Sequence, residues 1–549
     1  MDTKNLSDAI KKSGFAGEIT NDEEILSKYS HDASIFELKP QIVVFPNDKT
    51  DIENLVKFIS AAKKNNPDMA LTARAAGTDM SGGSLTTSIQ LSVSKLNKVE
   101  QIGKDFVVLE PGAYYRDLEK ALKEKDLVYP PYTSSKNICT VGGLVANNAG
   151  GEKSLQYGKA EEFVQELKVV LSDGNEYKFA PISKNVLKEK IKKPDFEGQI
   201  YKKLYEIFDK NHDLIKNEQP KVSKNSAGYN IWNVWDKQTF DLTRLFVGSQ
   251  GTLGIITQIR LKLLPKVKHH GMLMIYMNSF ENIPQIVQTV LKHNPDSFET
   301  YDHHTLRLAL KYFYGFGKIL HKNFLSLTKE FLPDFIDVAT HGMPQLILIV
   351  EYENDDLKKI HENLNKLQEE LKTFKNTRTK ITKNEREREK YWAIRRESFN
   401  LLRHRVKDKY ASPFIDDTIV DPKVLPEFFP KIYKILNDNN LLYTIAGHIG
   451  NGNFHIIPLV DIRKPDEVEK IYKVNDEVFD LVTKYGGSLS GEHNDGLIRT
   501  PYLKKMFSPQ ILEVFKQIKE VFDPQDIFNP GKKIEVDISF AKSHIRKSW

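Results

Sequence analysis

The stretch "ARAAGTDMSGGSL", Ala73 to Leu85, constrains the fold of this chain more than any other feature. It lacks the Gly-Lys-Ser/Thr of a Walker loop, and the strand-like "SIQLSVS" follows where a Rossmann fingerprint needs a helix. What remains is strand, glycine loop, strand. Backbone N–H groups around Gly77, Thr78, Gly82 and Gly83 can form an anion nest for a pyrophosphate, with Arg74 nearby. A plain turn is the alternative, since glycine first of all permits positive φ. Two more loops, "CTVGGLVANNAGG" (Cys139 to Gly151) and "VGSQGTLGIIT" (Val247 to Thr257), also set glycines between apolar segments, where a backbone must approach something closely. Three such loops in one α+β domain suit a large extended ligand, and a dinucleotide is the economical choice.

At 549 residues the chain exceeds what one hydrophobic core supports. Strand-like "QIVVFP" and "FVVLEPG" alternate with the helical spacing of "KTDIENLVKFISAAKKN" over 41–265, after an N-terminal helical segment, 1–40. A second domain, 266–500, opens with "GMLMIYMNSF", "IPQIVQTVLKHN" and "QLILIVEYEND", which read as a sheet with helices on one face. It carries an insertion rich in aromatics and lysine at about 305–343, expected to be a buried helical element or a surface for a membrane or partner. From about 385 the texture reads as largely helical, through a C-terminal segment, 501–549, returning to the first domain.

Lys+Arg 80 against Asp+Glu 74 leaves a dispersed +6, not the concentrated patch that nucleic acid requires. The one cysteine, Cys139, excludes an intrachain disulfide and any four-cysteine cluster within these residues, which points to a cytoplasmic protein. No signal-peptide core or run of roughly 18 apolar residues is present, so membrane contact is expected only as peripheral association on the inner face.

In "AGHIGNGNFHIIP", Ala446 to Pro458, His448 and His455 lie seven residues apart, a spacing that neither a strand nor a helix brings onto one ion. The Gly450 to Asn453 run favours a tight turn that could bring them together; two unrelated loop histidines are the alternative. "GGSLSGEHNDGLIRTPYL" adds Glu492 and, beside it, His493. Two imidazoles, a carboxylate and an open position compose a catalytic divalent site, with His493 free to act as a base. In "YWAIRRESF", Arg395 or Arg396 can clamp a carboxylate.

Taken in order with "FPNDKTDIENLV", "PPYTSSKNICTVGG" and "FDPQDIFNPGK", these stretches resemble FAD-linked oxidoreductases of the vanillyl-alcohol-oxidase type, in the D-lactate, glycolate and D-2-hydroxyglutarate dehydrogenase branch. The resemblance implies an α+β, two-part FAD-binding domain of the PCMH type, a sheet-and-helix substrate (cap) domain and a helical C-terminal segment. It implies FAD contacts from Arg74, Ala76, Gly77, Thr78, Ser81, Gly82, Gly83, Pro131, Ser134, Thr140, Gly142, Gly143, Asn148, Gly150 and Gly151. Gly248, Gly251, Thr252, Gly254, Ile255, Ile256, Asn529 and Lys532 complete that set. His448, His455 and Glu492 match the ligands of a divalent metal (zinc, iron or manganese), Asn453 a substrate-polarising residue, His493 the base and Arg395 the carboxylate clamp.

Three departures stand out: Gln250 replaces a common Glu, Leu144 a frequent Asn, and Asn494 the usual Gly, where asparagine keeps the turn through its tolerance of left-handed φ. Phe414 stands near a lysine of the D-2-hydroxyglutarate enzymes, which favours a substrate whose far end is not anionic.

The implied activity is metal-assisted oxidation of D-lactate or a similar small D-2-hydroxy acid to the 2-oxo acid. Electrons would pass to a separate acceptor, an iron-sulfur protein, quinone or cytochrome, with the insertion from Tyr312 to Phe335 as a docking surface; a homodimer is compatible with this. The alternatives are an oxygen-using oxidase of the glycolate-oxidase kind and, from another class, a metallohydrolase built on His448, His455 and Glu492.

Members with a histidyl flavin often carry His where this chain has Thr78, and Cys139 reads as a small apolar packing residue, so the flavin is expected to be non-covalent. Acid precipitation should release the yellow colour into the supernatant; a yellow pellet would contradict it.

Overall fold

Strands β1 (Glu18–Thr20), β2 (Ile42–Phe45), β3 (Leu71–Arg74) and β4 (Ile89–Ser92) form a sheet in the order β1-β2-β4-β3 in the computed structural model, which describes residues 3–311, 324–405, 409–534 and 536–547. β3 and β4 pair in parallel, so the chain must travel back along the sheet between them. Residues 75–88 make that return as the first glycine loop, without a helix. Helix Lys49–Ala62 buries Ile52, Leu55, Val56 and Ile59 against the sheet, and Asp48 caps it by accepting from the N–H groups of Thr50 and Asp51. The N-terminal segment, expected to be helical, also supplies β1 as an edge strand antiparallel to β2.

A second sheet follows from β5 (Val99–Ile102), β6 (Phe106–Leu109), β7 (Val164–Val170), β8 (Glu176–Phe179) and β9 (Ile255–Lys262), ordered β5-β6-β9-β7-β8 and antiparallel throughout. Alternate residues of β9, Ile255, Ile259 and Leu261 among them, are buried, so one face carries the core. Helix Pro509–Phe522 joins that core, with Phe522 edge-on to Phe246 at 5.0 Å. Just beyond it, Phe528 pairs in parallel with Leu71 beside β3.

The second domain is built on an eight-stranded sheet: β10 (His269–Met277), β11 (Ser297–Asp302), β12 (Leu346–Asn354), β13 (Thr377–Ile381), β14 (Tyr410–Ala411), β15 (Thr418–Ile419), β16 (Leu442–His448) and β17 (Asn453–Val460). Its order is β13-β10-β12-β11-β16-β17-β14, with β15 also on β17. The largely helical region after 385 also supplies β16 and β17, a hairpin inside the sheet. One expectation is corrected, because helices do not cover one face only. Leu273, Ile275 and Met277 pack with helices Ile283–Lys292, Leu357–Leu371, Leu425–Asp438 and Pro465–Lys484, whereas Met272, Met274 and Tyr276 meet Phe331, Tyr391 and Trp392 of helices Phe324–His341 and Glu385–Arg405. Strands apolar at every position have two faces to hide.

Of the insertion, helices His303–Lys311 and Phe324–His341 are described, with Leu332, Phe335 and Ile336 exposed; Tyr312 and the residues to 323 lie outside the described residues. No helix among the described residues is long and apolar enough to cross a membrane.

Leu348 and Ile349 are buried neighbours in β12 that face opposite cores. Each truncated to alanine should cost about 2–5 kcal/mol in urea unfolding; a near-zero cost for either would mean that its face is not a core.

Candidate functional site

The hairpin explains the seven-residue spacing. His448 pairs with Asn453 and Ala446 with His455, while Ile449–Asn451 and left-handed Gly452 make the turn. Opposed residues share a face, so His448 and His455 become diagonal neighbours on it. Their Nε2 atoms lie 3.3 Å apart. Glu492 Oε1 sits 3.0 Å from His448 Nε2 and 3.4 Å from His455 Nε2. These separations are those of three donors about 2.1 Å from one tetrahedral ion.

The far nitrogens of both imidazoles are held by carboxylates. His448 Nδ1 meets Glu299 Oε1 at 2.5 Å and His455 Nδ1 meets Asp416 Oδ1 at 3.1 Å, leaving both Nε2 atoms for a cation. Lys224 donates to Glu492 Oε2 at 3.0 Å, so that carboxylate presents Oε1 alone to the centre. Burial opposes the charge of Glu492, but Lys224 and His448 outweigh it and hold its pKa well below the usual range. Burial likewise opposes a proton on His455, yet Asp416 and Glu492 push its pKa up to about 10. Carboxylates thus stand against both the imidazoles and the centre they face, a donor set of the kind that holds a divalent cation.

His493 stacks on His455, with ring centroids 4.9 Å apart and 16° between planes. Its Nδ1 lies 2.7 Å from Asp416 Oδ2 and its Nε2 4.0 Å from Glu492 Oε1. Burial works against its protonation, but Asp416 and Asp417 raise its pKa overall. Asp417 fixes the turn that presents both residues: its Oδ2 accepts from the N–H groups of Glu492 at 2.9 Å and His493 at 2.7 Å and from Ser490 Oγ at 2.7 Å. Asn494 has φ +69°, and its amide donates to Gly248 O at 2.8 Å, which ties this turn to the third glycine loop.

Two connected cavities meet here. One, of about 190 Å³, is lined by Arg74, Ala76, Gly77, Thr78, Gly83, Ser134, Thr140, Gly142, Gly143, Gly251, Gly254, Ile255 and Ile256. The other, of about 680 Å³, is lined by Arg395, Arg396, His448, His455, Gly150 and Gly151 among others. Glu492 and His493 belong to both walls. Arg395 is held by Glu299 through Nε at 3.1 Å and Nη2 at 3.0 Å, with no partner for Nη1 among the described residues. Arg396 is forked onto both oxygens of Glu152. The long glycine loop reaches the acidic ligand directly, since a Cβ on Gly150 would lie 2.8 Å from Glu492 Oε2.

Several expected contact residues stand behind the walls. Asn453 is buried and donates to Asp417 Oδ1 at 3.0 Å and Thr418 O at 3.2 Å, lining neither cavity. Its position at the closed end of the hairpin turns its amide toward β15. Ser81, Gly82, Pro131, Asn148, Gly248, Thr252, Asn529 and Lys532 are likewise absent from both linings. Asn529 donates to Gly83 O and Gln250 O, each at 2.7 Å, and Lys532 to Leu85 O at 2.7 Å, so the closing motif braces the glycine loops from outside.

Sequence reasoning missed Glu299, Asp416, Asp417, Lys224 and Glu152 behind the ligands, and Asp79, Met80 and Asn147 on the cleft wall. The available signal was an acid inside an apolar strand, as in "SFETYD", and the doublet in "PFIDD". Cys139 lies buried on the cleft wall, and burial raises its thiol pKa, so it is poorly reactive.

Residues 40–180 match a model described as FAD binding domain, and residues 266–533 one described as FAD linked oxidases, C-terminal domain. The D-2-hydroxyglutarate dehydrogenase of Pseudomonas putida is 28% identical over 532 residues, which is 96% of this chain and 51% of that protein. The chain thus spans about half the length of such relatives. Glycolate oxidase subunit GlcD of Bacillus subtilis is 27% identical, over 93% of this chain and 92% of that one. D-lactate dehydrogenase of Anaerostipes hadrus is 25% identical, over 93% of each. Among solved structures, 4-ethylphenol oxidase from Gulosibacter chungangensis superposes with a TM-score of 0.70 at 16% identity, over 97% of each chain, and shows the shared fold.

His448→Ala and Glu492→Gln are each expected to abolish retention of a divalent ion after dialysis while bound flavin absorbance is kept; elemental analysis beside a visible spectrum measures both. Gly150→Ala should weaken ion retention by displacing Glu492. Ion content unchanged in all three would remove the centre.

Proposed function

We propose, from the premise that this chain belongs to the FAD-linked oxidases and carries both their FAD-binding and C-terminal domains, that it oxidises a D-2-hydroxy acid to the 2-oxo acid. The observation that carries the reading is the meeting of the His448, His455 and Glu492 atoms with His493 on the wall common to both cavities. Relatives named for D-2-hydroxyglutarate, glycolate and D-lactate support the substrate class.

The glycine loops would hold FAD and the triad a divalent ion; when bound, the flavin supplies a two-electron acceptor and the ion the Lewis acidity that makes a neighbouring hydroxyl more acidic. The chain's own residues do the rest. Arg395 takes the substrate carboxylate through Nη1, while Glu299 steadies both that arginine and His448, so clamp and ion ligand share one support. His493 accepts the hydroxyl proton at Nε2, its Nδ1 facing Asp416. Burial of Glu299, His448 and Asp416 behind them excludes water from the charges that hold the arginine and the imidazoles.

With one cysteine these 549 residues hold no four-cysteine cluster, and on this reading the electrons pass to an acceptor beyond them, an iron-sulfur centre, quinone or cytochrome. The metallohydrolase alternative is set aside because the glycine loops gather around one cleft joined to the triad instead of serving as scattered turns.

Under anaerobic conditions a D-2-hydroxy acid should bleach the flavin absorbance and its L enantiomer should not; absence of bleaching across a panel would sink the proposal. His493→Gln should slow flavin reduction by about 10² to 10⁴ with ion content unchanged.

A further inference from the structure

The large sheet separates the two ends of a substrate. Across it the strands run β11, β16, β17, β14, and His448 and His455 lie on the middle two. Arg395 is fastened to Glu299 of β11, on one side of the histidine pair. On the other side an apolar cluster forms from Ala411 of β14, Ile457 and Leu459 of β17, and Met80 of the first glycine loop. Ala411, Ile457 and Met80 all line the second cavity. Register places Ala446 opposite His455 and Thr444 opposite Ile457, so short side chains follow the histidines along the same sheet face, and both line that cavity.

The arginines of this cavity are already engaged. Arg74 donates to the carbonyls of Tyr29 and His31, Arg396 is neutralised by Glu152, and Arg395 is assigned to the carboxylate beside the reacting carbon. Lys28 is exposed at the rim. Buried Asp416 and Glu492 line the same cavity and offer a second anion no positive charge.

We infer that the side chain of the substrate is an uncharged aliphatic group that lies along Ala446, Thr444, Ile457, Ala411 and Met80, on the side of the histidine pair away from Arg395. The inference rests on the reading of the site as a 2-hydroxy-acid site and narrows it to an aliphatic monocarboxylate longer than lactate.

D-2-Hydroxyvalerate decides the matter, because it is D-2-hydroxyglutarate with a methyl group in place of the distal carboxylate. With the intact flavoprotein, its kcat/KM is expected to exceed those of both D-2-hydroxyglutarate and D-lactate by at least about tenfold, the scale on which pockets discriminate such groups. Calorimetric titration with 2-oxovalerate and 2-oxoglutarate, which needs no turnover, should show the same order in Kd. Ile457→Arg should invert the ranking in favour of the diacid. Equal or better use of D-2-hydroxyglutarate or D-lactate by the unaltered protein overturns the inference and leaves the proposed function standing. If no 2-hydroxy acid reduces the flavin, the proposed function itself falls, and this inference with it.

Discussion

Two adjacent buried aspartates, Asp416 and Asp417, organise the His455, Glu492 and His493 side of the centre. Asp416 faces the Nδ1 atoms of both His455 and His493, and Asp417 accepts from the backbone of Glu492 and His493, from Ser490 and from Asn453. Each charge is buried, an expensive arrangement that persists only where partners are many and well placed. Asp417 also holds φ +67°, an uncommon backbone state for a residue with a side chain. Consecutive residues with opposite duties, one orienting rings and the other a main-chain turn, let a loop carry Glu492 and His493 with the rigidity of a strand.

The same economy joins the two domains. Glu299, on a cap strand, serves His448 and Arg395 at once. Lys153 from the loop beyond Gly151 is buried in an ion pair with Glu351, which also binds Arg388 and the Trp392 indole N–H on the helix that bears Arg395. The position of the arginine is therefore tied to the glycine-loop domain through a chain of charged contacts as well as through packing. Asn494 and Gly150 add two close approaches between the domains at the centre itself.

Much of this was legible in the residues. The glycine loops announced a cleft because few other residues reach φ values such as the +72° of Gly77, where a Cβ would collide with the Arg74 guanidinium. The His448 and His455 pair was readable once a turn was granted between them, and Asn494 does adopt the left-handed state expected of it. Less legible was which side of a loop faces inward. Asn529 and Asn453 are polar groups of the right kind, but their amides are used on backbone carbonyls and Asp417, a choice fixed by partners hundreds or tens of residues away. The second helical layer over the large sheet was hidden for a related reason: "GMLMIYM" is apolar without alternation, and such a run says that it is buried without saying by what.

The pairing of Phe528 with Leu71 has a consequence for how the protein is made. Leu71 N–H donates to Ile527 O and Asn529 N–H to Leu71 O, so the outer edge of β3 is closed by residues synthesised long after it. At ribosomal rates of about 5–20 residues per second, that edge and the loop it carries wait tens of seconds for their partner. During this interval an unpaired strand beside a glycine-rich cleft is open to pairing with other chains. The nucleotide-binding half is thus encoded first and finished last, and its final shape depends on the cap having already been threaded between its two parts.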